Sequence, residues 1–155
     1  MRILAAAAAA IAVQPVLFFG RMVPDLLISP GPLYGSAFLL LCVVIVATLA
    51  VALLGIPTFF LFRHFGIVNI RALGAAGFFF GALPIAVLSW PSTRAGFSSS
   101  GNWHGMHVAS YVDGIPTLYA WLIQAENALF YGLHGLSAAL VFSLVWRKLD
   151  AKKPA

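Results

Sequence analysis

The residues best suited to chemistry lie in the last apolar stretch of the chain. Asn127, Tyr131 and His134 follow one another at steps of four and three, so an α-helix would carry them on one face. Polar groups inside a membrane are costly and often functional. Two roles remain open for this polar face. We favour hydrogen bonds that hold neighbouring helices together, and the alternative is transport, proton transfer or ligand binding.

Glu126 is the one acidic residue that a membrane span could contain. If a continuous helix begins near Pro116, the carboxylate lies in the outer leaflet and needs a partner, for which Arg21 and Arg94 are the candidates. If the span begins only at Ala128, Glu126 is solvated. The sequence does not decide between these two positions.

A metal site on the outer side is a weaker possibility. His104 and His107 are three residues apart, Asp113 follows, and two histidines with a carboxylate can bind zinc. The spacing matches no known metal frame, and we expect a solvated loop. A haem site would need a second histidine facing His134 within the spans. The chain also shows no glycine-rich phosphate loop followed by Lys and Ser or Thr. We therefore expect no cofactor and no metal, and we favour a non-enzymatic protein over an enzyme.

Small residues in the third apolar stretch predict close helix packing. Gly77 and Gly81 are four residues apart, and Gly74 lies one turn before Gly77. Small residues at this spacing let two helix backbones approach closely in a membrane. The contact can lie within the chain or between two copies.

Composition indicates which solvent these elements fold in. The 155 residues are 62% hydrophobic and only 8% charged, whereas soluble domains carry about 25% charged residues. A chain with so few charged residues could not present a polar surface to water, so we expect it to lie in a lipid bilayer. The net charge of +5 does not indicate nucleic acid, because the basic residues flank apolar runs and form no single patch.

Four apolar runs are long enough to cross a bilayer as helices of about 20 residues. We therefore expect an all-α fold, a single transmembrane domain over residues 1–155. The alternation that marks barrel strands is missing. The helices are predicted at about 3–20, 36–62, 72–90 and 120–146, with an outer loop at 92–114 and a flexible Ser98–Ser100 linker.

The first two of these spans differ from simple straight membrane helices. The first can be an uncleaved helix, which we favour, or a cleaved signal peptide, because Arg2 precedes an apolar, alanine-rich run. The second is too long for a straight span, and Gly55-Ile56-Pro57 is the expected bend.

Basic residues predict the orientation. Placing both ends inside puts seven of the nine Lys and Arg residues in the cytoplasm, as the positive-inside rule requires. These seven flank the apolar runs; they are Arg2, Arg63, Arg71, Arg147, Lys148, Lys152 and Lys153. We therefore expect an N-in/C-in bundle in a bacterial inner (plasma) membrane.

Three functions are compatible with this bundle. The leading hypothesis is a non-enzymatic accessory or structural component of a membrane complex. The first alternative is a small oligomeric transporter or channel that uses the polar face of the fourth helix. The second is a membrane-embedded enzyme with its site at the outer surface. The expected partners are the lipid bilayer and either another membrane protein or further copies of the chain, without nucleic acid.

Overall fold

The computed structural model describes residues 1–28 and 33–151, together with the side chains of residues 1–20 and 35–151. These residues form five α-helices: α1 (Arg2–Ile28), α2 (Leu33–Ala50), α3 (Ile56–His64), α4 (Ile70–Leu88) and α5 (Leu118–Asp150). A small sheet lies between α4 and α5, with strands β1 (Ser99–Trp103), β2 (Met106–Val112) and β3 (Ile115–Pro116).

Four helical segments in the described part are long and apolar enough to cross a membrane. They are Arg2–Gly20, Gly35–His64, Ile70–Leu88 and Leu118–Asp150. The last has 33 residues, which at about 1.5 Å per residue gives a rod of about 50 Å. The hydrocarbon core of a bilayer is only about 30 Å thick, so α5 is long enough to extend beyond it.

The second long segment does not end at its proline. Residues Val51–Gly55 form a π-helical turn, in which the N–H of Ile56 donates to the carbonyl of Val51 five residues earlier. Pro57 has no N–H to donate, and its ring crowds the carbonyl four residues before it. A wider turn accommodates both effects. The irregularity that we expected at Gly55-Ile56-Pro57 therefore precedes the proline, and α3 continues the helix.

A short turn reverses the chain between α3 and α4. Gly66, at φ +70°, donates to the Arg63 carbonyl at 3.2 Å, and Ile67 donates to the Phe62 carbonyl at 2.9 Å. This pair of bonds is a Schellman motif, which satisfies the last carbonyls of a helix. Asn69 then caps α4, because its Oδ1 accepts from the Ala72 N–H at 2.8 Å.

The beginning of α1 and the end of α5 lie at the same end of the bundle. Arg2 Nη1 is 3.0 Å from Asp150 Oδ1. Nearby, the fully buried Phe59 ring lies 5.1 Å from the rings of both Phe142 and Trp146. Five basic residues lie at or near this end of the helices, which we call the basic end: Arg2, Arg63, Arg71, Arg147 and Lys148. Lys152 and Lys153 lie outside the described residues.

The segment 92–114, which we expected to be a loop, contains most of an antiparallel sheet ordered β1-β2-β3. Two-residue turns join the strands, His104-Gly105 at φ +49° and +82°, and Asp113-Gly114 at φ +48° and +83°. Two successive positive φ values define the turn type that suits the twist of a β-hairpin. The chain is thus mostly helical, with a small β-structured element at the end opposite the basic end, which we call the sheet end.

Backbone hydrogen bonds hold the sheet together with the segment before it. The N–H of Arg94 donates to the Gly114 carbonyl at 2.9 Å, and the N–H of Gly114 donates to the Phe97 carbonyl at 2.7 Å. Ser99 and Ser100 are paired in β1. Our interpretation of the serines as a flexible linker is therefore wrong, because their backbone groups have partners in β2.

Candidate functional site

A half-open cavity of about 650 Å³ lies among all four long segments, and some of its lining residues, such as Val46 and Tyr131, are exposed. One wall is formed by α2, the π-helical turn and α3, the other by α4 and α5, and α1 also contributes. The lining is almost entirely apolar. Among the described side chains, those on the lining that carry oxygen or nitrogen are Gln14, Thr58, Tyr131 and His134.

The cavity exists because the long segments pack unequally. α5 packs along α4 and along α1, whereas α2 makes its main helix contact with α1. The side of α2 that faces α4 and α5 is therefore held at a distance, and the space between them stays open.

Glycines explain the tight contact between α4 and α5. A Cβ atom on Gly77 would meet the carbonyl oxygen of Gly135, and would come within 2.7 Å of the Ala139 Cβ. A Cβ atom on Gly81 would meet the carbonyl oxygen of Tyr131. The two backbones thus touch where side chains are absent, as small residues allow in membrane helices.

Two further glycines of this contact, Gly74 and Gly132, face side chains. A Cβ atom on Gly74 would lie 3.0 Å from Leu136 Cδ1. The Phe78 ring packs against Gly132, and its nearest atom would lie 2.6 Å from a Cβ atom added to Gly132. The structure therefore places Gly74, Gly77 and Gly81 in a contact within one chain.

The side chains of Gln14 and His134 join α1 to α5. His134 Nδ1 lies 2.7 Å from Gln14 Oε1, and Gln14 Nε2 donates to the main-chain carbonyl of His134 at 3.2 Å. Since Oε1 can only accept, His134 Nδ1 carries the hydrogen in this bond. Gln14 is only 6% exposed, so this reciprocal pair satisfies an amide that would otherwise be costly to bury.

The predicted polar face is divided by the packing. Tyr131 and His134 both line the cavity, whereas Asn127 is half-buried and lies outside the lining. The ring of His134 also lies 4.5 Å from the ring of Phe130 in a T-shaped arrangement. The three residues thus share a helix face in sequence, but two of them meet the cavity.

Glu126 joins α5 to the first hairpin of the sheet. Its Oε2 accepts from Trp103 Nε1 at 2.8 Å and lies 3.1 Å from His104 Nε2. For a Glu126 carboxylate in the outer leaflet, one of our two alternatives, Arg21 and Arg94 were the candidate partners. The guanidinium of Arg94 instead lies 5.8 Å from the centre of the Phe97 ring, and the side chain of Arg21 is outside the described part.

The three residues considered for zinc are separated by the sheet. His104 and Asp113 occupy the turns at opposite ends of β2, and seven strand residues span about 20 Å. His107 lies on β2 between them. Among the side chains that the structure describes, those of residues 1–20 and 35–151, no group of three His, Cys, Asp or Glu is arranged to hold a metal ion.

Sequence reasoning missed several residues that shape this site. Gln14 is a single amide within the first apolar run, and such a residue signals a hydrogen bond between helices. Gly132 and Gly135 repeat in α5 the small-residue pattern of α4. Asp113-Gly114 between β-branched residues is a strong hairpin signal. Each of these signals is visible in the sequence.

No family model, curated protein or solved structure matches the chain. The function is therefore inferred from the geometry of the chain itself.

Proposed function

We propose that this chain is a non-enzymatic accessory or structural component of a membrane complex. Its four long segments would cross a bacterial inner membrane, with the basic end in the cytoplasm and the sheet end outside. The observation that carries the proposal is the reciprocal hydrogen bonding between Gln14 and His134. The most prominent polar group of the spans is used to join two helices.

Two other polar side chains support the same interpretation. Gln124 Nε2 donates to the Ile85 carbonyl at 2.7 Å and also lies 3.3 Å from the Ala86 carbonyl. These carbonyls belong to the last turn of α4, and the Ile85 carbonyl also accepts from the Ser89 N–H at 3.1 Å. Glu126 bonds the first hairpin at Trp103. In a bilayer, where helices gain no hydrophobic attraction for one another, close packing and such hydrogen bonds hold a bundle together.

The alternative of an oligomeric transporter is favoured by one observation, that Tyr131 and His134 line the cavity. Pathways for ions or water carry polar or charged groups along their length. Here the polar side chains are few and the remainder of the lining is apolar. This lining supports the structural role over conduction.

The alternative of an outer-surface enzyme would use the His104 and Glu126 pair. The side chain of His104 is 62% exposed, so the pair lies open to solvent. An enzyme site generally encloses its substrate in a pocket with few, well-placed polar groups. The contact instead joins the first hairpin of the sheet to α5.

The test is the native mass of the protein extracted at ordinary expression levels in a mild detergent. We expect a reproducible complex with a different membrane protein at fixed stoichiometry. An unrelated inner-membrane protein of similar size, tagged and extracted identically, controls for nonspecific capture. A homo-oligomer without such a partner would contradict the proposal and favour the transporter, and a solitary monomer would contradict both.

A further inference from the structure

We propose that the cavity between α2 and the α4–α5 pair binds an uncharged, lipid-soluble molecule. The molecule would have a hydrocarbon body and an oxygen atom that accepts a hydrogen bond. This inference goes beyond the accessory role, and it can hold or fail whether or not a protein partner is found.

The volume of the cavity fits a small molecule. Its 650 Å³ falls within the range of about 300–1,000 Å³ that is typical of small-molecule sites.

The lining selects for an uncharged ligand. Among the described residues, no Asp, Glu, Lys or Arg lines the cavity. An ionic group would lose its hydration there without a counter-charge, at a large cost in free energy. A hydrocarbon body instead meets apolar side chains from all four segments, including Phe18, Leu39 and Phe80.

The polar side chains that line the cavity could hydrogen-bond one oxygen atom of the ligand. Tyr131 of α5 and Thr58 of α3 both line the cavity, and each side chain carries a hydroxyl that can donate a hydrogen bond. Tyr131 lies one turn from His134, whose Nδ1 is engaged with Gln14. A ketone, quinone or ester oxygen could accept from Tyr131, whereas a plain hydrocarbon chain could not.

The π-helical turn that accommodates Pro57 lies at the same place. Three of its residues, Val51, Leu54 and Gly55, line the cavity. Single π-helical turns within α-helices occur frequently at functional sites, because they displace side chains from the regular helical positions. Here the turn forms part of the wall that faces α4 and α5.

The test uses photolabelling in vesicles of dipalmitoyl phosphatidylcholine, with 4-dodecyloxybenzophenone as the probe. This probe is uncharged, carries a ketone oxygen and cross-links on illumination. We expect saturable labelling at lining residues of α2 and α5, located by peptide mass. Tyr131→Phe should weaken apparent binding by about 2- to 10-fold, the usual effect of losing one hydrogen bond.

Two matched pairs of variants test the location. Ala50 lines the cavity and Ala52 does not; Leu54 lines it and Leu53 does not. All four side chains are exposed, so larger residues can be accommodated. Ala50→Phe and Leu54→Trp should abolish saturable labelling, while Ala52→Phe and Leu53→Trp should leave it unchanged. Using both pairs protects the test against misfolding of one variant.

Three results would overturn the proposal. The first is labelling that neither cavity-filling variant reduces. The second is equal labelling of the same residues by a phosphatidylcholine with an oxygen-free diazirine in its acyl chain, since bulk lipid would then be the occupant. The third is a cross-link between two copies of the chain at these residues that prevents the probe from labelling them. None of these results depends on whether a partner protein is present in the native complex.

Discussion

At the scale of single residues, the reciprocal pair of Gln14 and His134 is the most informative contact. Each side chain satisfies a polar group of the other helix, so removing one leaves a buried group unpaired. The two residues are 120 positions apart in sequence, and the pair therefore ties the first helix of the chain to the last.

This pair predicts energetic coupling between the two helices. We expect Gln14→Leu and His134→Leu to destabilise the protein individually, and the double variant to lose less than the sum of both. Double-mutant cycles on hydrogen bonds in membrane proteins give coupling of about 0.6 kcal/mol on average and about 1.7 kcal/mol at most. Reversible unfolding in mixed micelles would measure it. Strictly additive losses would show that the hydrogen bonds contribute nothing.

The sequence predicted one half of this pair. His134 stands out because polar residues at helical spacing share a face. Gln14 is a single polar residue in its apolar run, and no second polar residue at helical spacing defines a polar face with it. Which residue His134 would contact depends on how α1 and α5 are rotated against each other, and that rotation is set by packing along their whole length.

At the scale of elements, the α4–α5 contact is a backbone-to-backbone fit. A methyl group at Gly81 would meet the Tyr131 carbonyl oxygen, and neither backbone can yield without moving its helix. We expect Gly81→Ala to cost about 1–3 kcal/mol, the usual effect of overpacking a tight interior. Thermal unfolding in detergent would measure the loss.

Gly20 offers a matched control in α1. A Cβ atom there meets no described atom within 4 Å, and alanine is a better helix former than glycine. Gly20→Ala should therefore leave the unfolding temperature unchanged or raise it. Equal losses in Gly20→Ala and Gly81→Ala would contradict the close-packing explanation.

The sheet depends on a different glycine. Gly114 has φ +83°, and a Cβ atom on it would meet the carbonyl oxygen of Arg94. We expect Gly114→Ala to loosen the segment around Arg94, which is the trypsin site of this region. A residue forced into the left-handed conformation costs about 1–2 kcal/mol, which corresponds to a roughly 5- to 30-fold faster cleavage when the segment opens and closes rapidly.

The measurement is the rate of limited trypsin cleavage after Arg94, followed by fragment mass. Gly101→Ala is the control, because Gly101 lies in β1 with open space around its Cβ position. Cleavage should be as slow in this variant as in the unmodified protein. Faster cleavage in both variants would show that the sheet tolerates no substitution and that φ at Gly114 is not the cause.

The elements differ in how far the sequence predicts them. Long apolar runs identify the four membrane-spanning candidates, because only length and apolarity are needed. The sheet was missed because Ser and Gly between the helices suggested a loop. Its turns are local signals, but the strands are short and form only where Asp113-Gly114 and His104-Gly105 act together. The π-helical turn depends on how the helix accommodates Pro57, which a composition-based prediction does not contain.

At the scale of the whole molecule, the bundle has two chemically distinct ends. The Arg2–Asp150 contact places the beginning of α1 and the end of α5 near the Arg63–Arg71 turn, while the sheet lies at the other end of α4 and α5. The sequence predicted this separation from the positions of basic residues alone. It did not predict the cavity, because a gap between helices is a property of how unequally they pack.

The two ends predict the orientation of the protein in a membrane. Basic segments are retained in the cytoplasm during insertion, so the sheet end should face outward. In a Cys42→Ala background, we expect a membrane-impermeant maleimide to label Ser100→Cys in right-side-out vesicles of bacterial cells that express the protein. Ala151→Cys should be labelled only in inverted vesicles or after permeabilisation. Both positions are exposed, so solvent access within the protein does not limit either reaction. The opposite pattern would show that the basic end faces outward, and labelling of both positions from one side would mean that the long helices do not cross the membrane as proposed.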